Sequence, residues 1–220
     1  MAKNNTSDQD PDTAFQGFDV AEIPWIEAYK LLIHCVAPRP IAFVSSLSRT
    51  GEANLAPFSF FMGGGSNPPS VAFSPSTEAP GKLKDTLINI KETGEYTINI
   101  VSHSFINKMN QASYAYPHGV SEWQKSGLNM APAVKVGPAR VAESLMAMEC
   151  KLFQIVQHGE DVGSANYVIG EVVYFHIARE IMKDGRIDPT RVDYVARMGG
   201  QWYTRATPQS MFELKRPEQG

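Results

Sequence analysis

The 220-residue chain has few of the features that mark specialised classes of protein. It has only two cysteines, Cys35 and Cys150, and they form neither a metal-binding spacing nor a disulfide framework. We therefore expect two buried thiols in a reducing compartment. The polar start of the chain does not resemble a secretory signal, and no run of about 18 apolar residues predicts a membrane span. These absences predict a cytoplasmic protein.

Excess charge of either sign is also small. The chain has 20 Lys and Arg against 23 Asp and Glu, a net charge of −3. This balance excludes the large basic field that binds nucleic acid or an anionic membrane. The composition is that of an ordinary globular chain. The expected organisation is one domain at 21–207, between a flexible N-terminal segment at 1–20 and a C-terminal tail or arm at 208–220.

Several common catalytic signatures are missing. The chain has no G-x-G-x-x-G after a strand, no G-x-x-x-x-G-K-[ST] loop and no G-x-S-x-G elbow. Its five histidines show no H-E-x-x-H spacing, so we expect no metal site. His176 lies in an apolar run and is expected to be a hydrogen-bonded core or interface histidine. His118 lies in a turn where it could stand beside a ligand.

Short β-strands dominate what is present. Runs rich in β-branched and aromatic residues predict strands at 40–47, 54–61, 70–73, 95–101, 145–156 and 167–177. Gly170, inside the last run, indicates a β-bulge or a close approach of another group to the backbone. Short helices are predicted at 22–33, 84–93, 104–112 and 121–127. Because a regular βαβ rhythm is missing, the predicted fold class is mainly β (α+β), an antiparallel barrel with short peripheral helices.

The first unusual segment for a plain barrel is Asn54–Phe61 (NLAPFSFF). Pro57 removes a backbone donor in mid-strand, so the strand is expected at a sheet edge or a bulge. Backbone groups beside the proline would then be free to bind a flat, amide-rich ligand. Simple termination of the strand is the alternative.

The second segment is Ser74–Thr86 (SPSTEAPGKLKDT), which leads from a strand end into a helix. Hydroxyls and lysines crowd this turn, and the start of a helix favours an anion. The pattern therefore predicts a binding site for a phosphate monoester. A solvated loop with an ordinary helix cap is the alternative.

The third segment is Tyr194–Tyr203 (YVARMGGQWY). Its glycine pair would let the backbone approach a flat ring, and Arg197 could place its cation near a ring edge or a phosphate. A tight turn that covers the barrel end is the alternative.

Together these segments resemble the flavin reductase-like FMN-binding family, over roughly residues 30–205. The resemblance rests on motifs that occur in the family's order: Pro38–Ala42, Asn54–Phe60, Pro68–Phe73, Lys84–Thr86 with Asn89–Ile90, Gly170–Val172 and Arg197–Tyr203. It implies a Greek-key split β-barrel and a homodimer with FMN at the interface between the subunits.

The resemblance also implies a set of cofactor-binding residues. The flavin ring and ribityl chain would lie along Asn54, Ala56, Pro57, Phe58 and Ser59. The phosphate would be held by Ser74, Ser76, Lys84, Asp85 and Thr86. The segment with Arg197, Gly199, Gly200 and Tyr203 would close over the flavin, and Arg39 joins this set. No catalytic side chain is nominated, because hydride transfer to the flavin requires no acid or base from the protein.

One departure from the family pattern concerns the nicotinamide. Many of these reductases carry Gly-Asp-His before the Gly170–Val172 position, whereas this chain has Gly163, Ser164 and Ala165. The expected function is hydride transfer from NAD(P)H to FMN, with the reduced flavin serving a partner oxygenase or another acceptor. A flavin-binding electron carrier without nicotinamide activity, and a barrel for another phosphorylated ligand, are the alternatives.

A homodimer is also expected from the aromatic content. The large residues Phe58, Phe60, Phe61, Trp123 and Trp202 exceed what the interior of a small barrel needs.

Overall fold

A computed structural model describes residues 14–117 and 120–217 of the chain. The predicted ligand neighbour His118 lies outside the described residues. Four helices occur in this part of the chain: α1 Trp25–Cys35, α2 Asp85–Thr93, α3 Ile106–Gln111 and α4 Glu122–Ser126. Short 3₁₀ turns are found at His103–Phe105, Arg179–Ile181, Pro189–Arg191 and Pro208–Ser210.

Seven longer strands form one antiparallel sheet. They are β1 Ala42–Leu47, β2 Ala53–Phe58, β3 Phe61–Ser66, β4 Pro69–Phe73, β5 Glu95–Ile100, β8 Met146–His158 and β9 Ala165–Ile177. Three hairpins accompany the sheet: β6 Met130–Ala131 with β7 Arg140–Val141, β10 Met182–Lys183 with β11 Arg186–Ile187, and β12 Tyr194–Gly199 with β13 Trp202–Ala206.

The order of the strands explains why the sheet curls into a barrel. The sheet runs β2-β1-β5-β8-β9-β4-β3, so β2 and β3 form its two edges. Only Ser59 and Phe60 join these edges in sequence, so the sheet must curl until its first and last strands meet. Within the described chain no ladder of hydrogen bonds closes this seam, and the barrel is split there. The predicted fold class is confirmed.

Strand β1 separates two apolar cores. Ala42 and Val44 face one cluster, to which α2 contributes Leu87 and Ile90. Phe43 faces the opposite cluster, which includes residues of α3 and α4. Because both faces of β1 are covered, its sequence is a continuous buried run with no alternation.

Two local predictions from the sequence are confirmed. Pro57 lies in β2 at the sheet edge, where a missing backbone donor costs least. Gly170 lies in β9 directly against the Tyr96 hydroxyl, and a Cβ at this position would collide with that oxygen. The ladder between β8 and β9 also shifts register beside it, between Leu152 and Gln154.

Two other expectations need correction. Cys150 is buried, but Cys35 is exposed because it lies at the open end of α1. Phe58 and Trp123, counted among the surplus aromatics, are buried in the two cores of this chain. In residues 14–117 and 120–217, no helix has the length and apolar character needed to cross a membrane.

Candidate functional site

The site that the sequence predicts is built along the free edge of β2. This strand pairs with β1 from Ala53 opposite Leu47 to Phe58 opposite Ala42, and the described chain has no strand on its other side. In an antiparallel ladder, alternate backbone groups point away from the paired strand. The edge therefore offers amide and carbonyl groups to a ligand, and Pro57 interrupts this row.

A small polar layer joins β2 to the start of α2. The Asn54 side-chain amide donates to the Thr86 hydroxyl at 2.7 Å. Beneath them, the Asn89 amide donates to the Ser46 hydroxyl at 3.1 Å. Thr86 is only 1% exposed, so its hydroxyl holds Asn54 in place and does not face solvent. The layer fixes the helix start against the strand edge.

The loop between β4 and α2 carries the predicted phosphate ligands. Its first residue, Ser74, is buried and uses its N–H for a 2.9 Å hydrogen bond to the Phe60 carbonyl. Ser76 and Asp85 are exposed. Lys84 is half-buried and forms an ion pair with Glu78 at 2.8 Å.

Glu78 lies at the centre of this loop's electrostatics. Its carboxylate also pairs with Lys82 at 2.9 Å. Hydrogen bonds from Lys84 and then Lys82 lower the pKa of Glu78 to about 2. The two lysines are therefore partly neutralised by one permanently ionised carboxylate, and an incoming phosphate would compete with Glu78 for them.

Two arginines mark the other end of β2. The backbones of Arg39 and Arg197 exchange two hydrogen bonds of 2.9 Å. The buried Arg39 guanidinium donates to the carbonyl oxygens of Ile33 and Val36, and its Nε lies 3.5 Å from the Ser59 hydroxyl. Burial and the nearby Arg197 charge lower the pKa of Arg39. The Arg39 guanidinium thus caps the carbonyl groups at the C-terminal end of α1, and the Ser59 hydroxyl lies beside it.

The glycine pair lies in the turn of the β12–β13 hairpin. Arg197 donates to the Tyr203 hydroxyl at 2.7 Å and to the Gly200 carbonyl at 2.6 Å. Gly199 has a φ of 114°, and a Cβ there would lie 2.7 Å from the His34 ring. The glycine therefore lets the hairpin approach an imidazole of α1, a contact that the sequence did not predict.

Several of the predicted residues are linked through strand β2 and its hydrogen bonds. Ala56, Pro57 and Phe58 form the middle of β2, with Asn54 joined to the helix start and Ser59 beside Arg39. Some of the predicted side chains are buried and do not reach an exposed position, namely those of Arg39, Phe58, Ser74 and Thr86. Sequence reasoning did not nominate His34, Ser46, Glu78, Asn89 or Asn166 as site residues. Asn89 lies in one of the family motifs, and Glu78 gave a local signal as an acidic residue close before two lysines.

Comparison with known proteins identifies the class to which this fold and site belong. A protein from Shewanella frigidimarina with a split barrel domain has the same fold, with a TM-score of 0.74 at 24% identity over 91% of this chain and 96% of that one. The family model "Flavin reductase like domain" matches residues 34–191. The chain is an oxidoreductase that belongs to this flavin reductase-like family.

Closer relatives support this membership. An uncharacterized protein of Deinococcus radiodurans is 37% identical over 206 residues, which cover 90% of this chain and 88% of the relative. Nitrilotriacetate monooxygenase component B from Bacillus cereus is 31% identical, with a TM-score of 0.85 over 91% of this chain and 98% of that one. The 2-nitrobenzoate 2-nitroreductase from Pseudomonas fluorescens is 27% identical, with a TM-score of 0.82 over 92% and 96%.

Proposed function

We propose that the protein is a cytoplasmic NAD(P)H:flavin oxidoreductase that binds FMN along the β2 edge. The observation that carries the proposal is that β2 is an edge strand whose row of free backbone groups is interrupted by Pro57. Both ends of the strand are held by contacts with other elements. Asn54 and Thr86 tie one end to the start of α2, and Arg39 lies beside Ser59 at the other. A reducing compartment is consistent with the exposed, unpaired thiol of Cys35.

The loop before α2 has the chemistry that the FMN phosphate needs. Lys84 provides a cation, Ser76 an exposed hydroxyl, and the first N–H groups of α2 have no partner within the helix. Asp85 and Thr86 would contribute these N–H groups, while the Thr86 side chain supports the site through Asn54. A phosphate would replace Glu78 as the partner of Lys84.

The strand edge has the chemistry that a flavin ring needs. The pyrimidine part of the ring is a flat array of donors and acceptors, which backbone groups near Ala56–Ser59 would match. Arg197, Gly199, Gly200 and Tyr203 would cover the ring from the hairpin. A bound flavin would supply the redox chemistry, taking a hydride from a nicotinamide. The protein would supply position and electrostatics only.

A partner oxygenase is the proposed acceptor. The Bacillus cereus relative is named as component B of a monooxygenase, and this chain matches it over nearly its whole length. By analogy, the reduced flavin made here would serve an oxygenase or another acceptor.

A flavin-binding electron carrier is the second candidate. The observation that favours it is the sequence Gly163-Ser164-Ala165, where many family members have a carboxylate and an imidazole. Without these groups, contact with the nicotinamide would be weak. In an oxidoreductase this would give slow NAD(P)H oxidation that does not saturate, whereas an electron carrier would show no nicotinamide-dependent reduction.

A homodimer is part of the proposal. Phe153 is 74% exposed and Tyr167 43% exposed on the long β8–β9 hairpin, and Trp202 is 77% exposed beside the proposed flavin site. Large exposed apolar side chains of this kind favour an interface between subunits.

Anaerobic reduction tests the proposed function. The protein is loaded with FMN and titrated with NADH and, separately, with NADPH, while the visible absorbance of the flavin is followed. Loss of the absorbance with either nucleotide supports the oxidoreductase. Flavin that stays oxidised with both nucleotides, but is reduced by dithionite, supports the electron carrier. A protein that binds no flavin would contradict both.

A further inference from the structure

Backbone hydrogen bonds connect the turn at 163–166 to the predicted phosphate loop. The Thr77 N–H donates to the Ser164 carbonyl at 2.9 Å, and the Gly163 N–H donates to the Thr77 carbonyl at 2.9 Å. The Asn166 N–H donates to the Pro75 carbonyl at 3.2 Å. By the resemblance, this turn takes the position of the family's nicotinamide segment, and in this chain its backbone is hydrogen-bonded to the loop.

These bonds leave Ser76 facing outwards. Ser76 and Ala165 form an isolated antiparallel bridge, flanked by the bonds from Thr77 to Ser164 and from Asn166 to Pro75. In such a pair, the N–H and C=O of the central residues point away from the opposite strand. Pro75 and Thr77 are buried and Ser76 is exposed. The Ser76 N–H therefore points away from Ala165, and its side chain is exposed, so that both groups are accessible to a ligand.

Asn166 is the side chain that secures this arrangement. It is 1% exposed, and its amide donates to the Pro75 carbonyl and to the Thr77 hydroxyl, both at 3.2 Å. Its own Oδ1 is buried and has no hydrogen-bond partner among the residues that the structure describes. An unpartnered buried acceptor costs free energy, and the two hydrogen bonds that the amide donates offset this cost while they fix Pro75 and Thr77 on either side of Ser76.

We infer that Asn166 is a positioning residue for phosphate recognition. It fixes Pro75 and Thr77 on either side of Ser76, so that the Ser76 N–H and hydroxyl donate to the phosphate of the flavin. This inference rests on the proposed function, because it assumes that the bound phosphate belongs to FMN. It gives the 163–166 turn a role in selecting FMN over unphosphorylated riboflavin.

The test compares the affinities of the full-length protein for FMN and riboflavin by fluorescence titration. Asn166→Leu should weaken FMN binding about tenfold and change riboflavin binding less than about twofold. Thr77→Val, a smaller change that removes only the hydroxyl acceptor, should act in the same direction more weakly. The matched control is Asn99→Leu, because Asn99 is equally buried and bridges the Phe43 carbonyl and the Val141 N–H, with no hydrogen bond to the 163–166 turn or the loop before α2.

The possible outcomes distinguish failure of the proposed function from failure of the positioning role of Asn166. A wild-type protein that binds neither flavin would contradict the proposed function itself. Wild-type binding of FMN, with Asn166→Leu and Thr77→Val both leaving the ratio of FMN to riboflavin affinity unchanged, would overturn the positioning role alone. The same loss of selectivity in Asn99→Leu would overturn it too, because the effect would then be general destabilisation.

Discussion

Among single residues, Glu78 has a direct effect on the charge of the predicted phosphate loop, because its carboxylate partly neutralises two lysines. It pairs with Lys82 and Lys84, and its pKa of about 2 keeps it ionised at neutral pH. Both lysines are partly exposed, so the pairs contribute little to stability. The pairing matters for binding, because an anionic ligand must displace or tolerate this carboxylate.

Glu78→Gln should therefore tighten FMN binding. Removal of the negative charge frees Lys84 for the phosphate, and we expect an increase in affinity of about threefold to tenfold, with riboflavin unaffected. Fluorescence titration with both flavins measures this. Glu92→Gln, on the exposed face of α2, is the control for a general change in charge. Weaker FMN binding in Glu78→Gln would show that Glu78 supports the ligand.

A second carboxylate, Glu149, holds a loop by its charge. It is fully buried and accepts hydrogen bonds from the N–H groups of Val134, Lys135 and Val136 at 2.7, 2.5 and 3.1 Å. His176 donates to it at 2.5 Å, which confirms the expected hydrogen-bonded histidine. Burial opposes ionisation of Glu149, but the bonds from His176 and the backbone outweigh it and lower the pKa.

Glu149→Gln should lower the free energy of unfolding by about 1–3 kcal/mol at neutral pH. Because the folded pKa lies below the unfolded value, the stabilisation is complete above about pH 4.3 and is lost as the pH falls towards the folded pKa. Urea unfolding at a series of pH values should show a shallower acid dependence in Glu149→Gln than in wild type. The exposed Glu180→Gln should follow the wild-type curve, and equal acid slopes in all three proteins would contradict this account.

The β12–β13 hairpin shows what one glycine does for an element. Gly199 combines a φ of 114° with a close approach to the His34 ring, whereas a Cβ at Gly200 would meet nothing within 4 Å. Gly199→Ala should therefore destabilise the fold by about 1–3 kcal/mol and weaken flavin binding, because the hairpin must move away from α1.

Thermal unfolding and FMN titration of Gly199→Ala measure both effects. Gly200→Ala is the matched control for stability only, with a smaller expected loss, because the φ of 52° strains an alanine there but no neighbour lies within 4 Å of its Cβ. His34→Ala in the Gly199→Ala background should recover part of the stability, since the clash is removed but the backbone strain remains. A Gly199→Ala protein as stable as wild type would show that the contact with α1 is not required.

The longer elements follow from sequence patterns, while the short hairpins do not. The runs around β5 and β9 predict strands because apolar and β-branched residues repeat over enough positions, and Gly94 and Gly127 end α2 and α4 as left-handed residues. Two-residue strands such as β10 and β11 have no periodicity to detect. Strand β3, Phe61–Ser66, was missed as well, because it shares only Phe61 with the 54–61 run and its three glycines give no strand signal.

The candidate site follows from the sequence only in part. The β2 edge and the lysine-rich loop carry local signals, namely Pro57 and the hydroxyls and lysines of Ser74–Thr86. The contacts of Gly199 with His34 and of Thr77 with Asn166 join residues far apart in the chain. No local pattern encodes them, so only the assembled barrel reveals these positions.

For the whole molecule, the main prediction is that two copies of the chain form a dimer. Phe153→Glu places a charge on the exposed β8–β9 hairpin, and we expect it to shift a wild-type dimer towards monomers in sedimentation equilibrium. Met130→Glu, at another exposed apolar residue outside the β8–β9 hairpin, should leave the dimer intact. A wild-type monomer with full FMN occupancy would contradict the proposed dimer.

The central claim is that the barrel holds FMN with its phosphate at the start of α2. The most direct test is the affinity of Lys84→Ala for FMN and for riboflavin, with Lys91→Ala at the other end of α2 as the control. A charged hydrogen bond to phosphate is worth about 1.5–3 kcal/mol, so Lys84→Ala should weaken FMN binding about tenfold or more. Riboflavin binding should not change. Equal losses for the two flavins, or no loss for either, would contradict the claim.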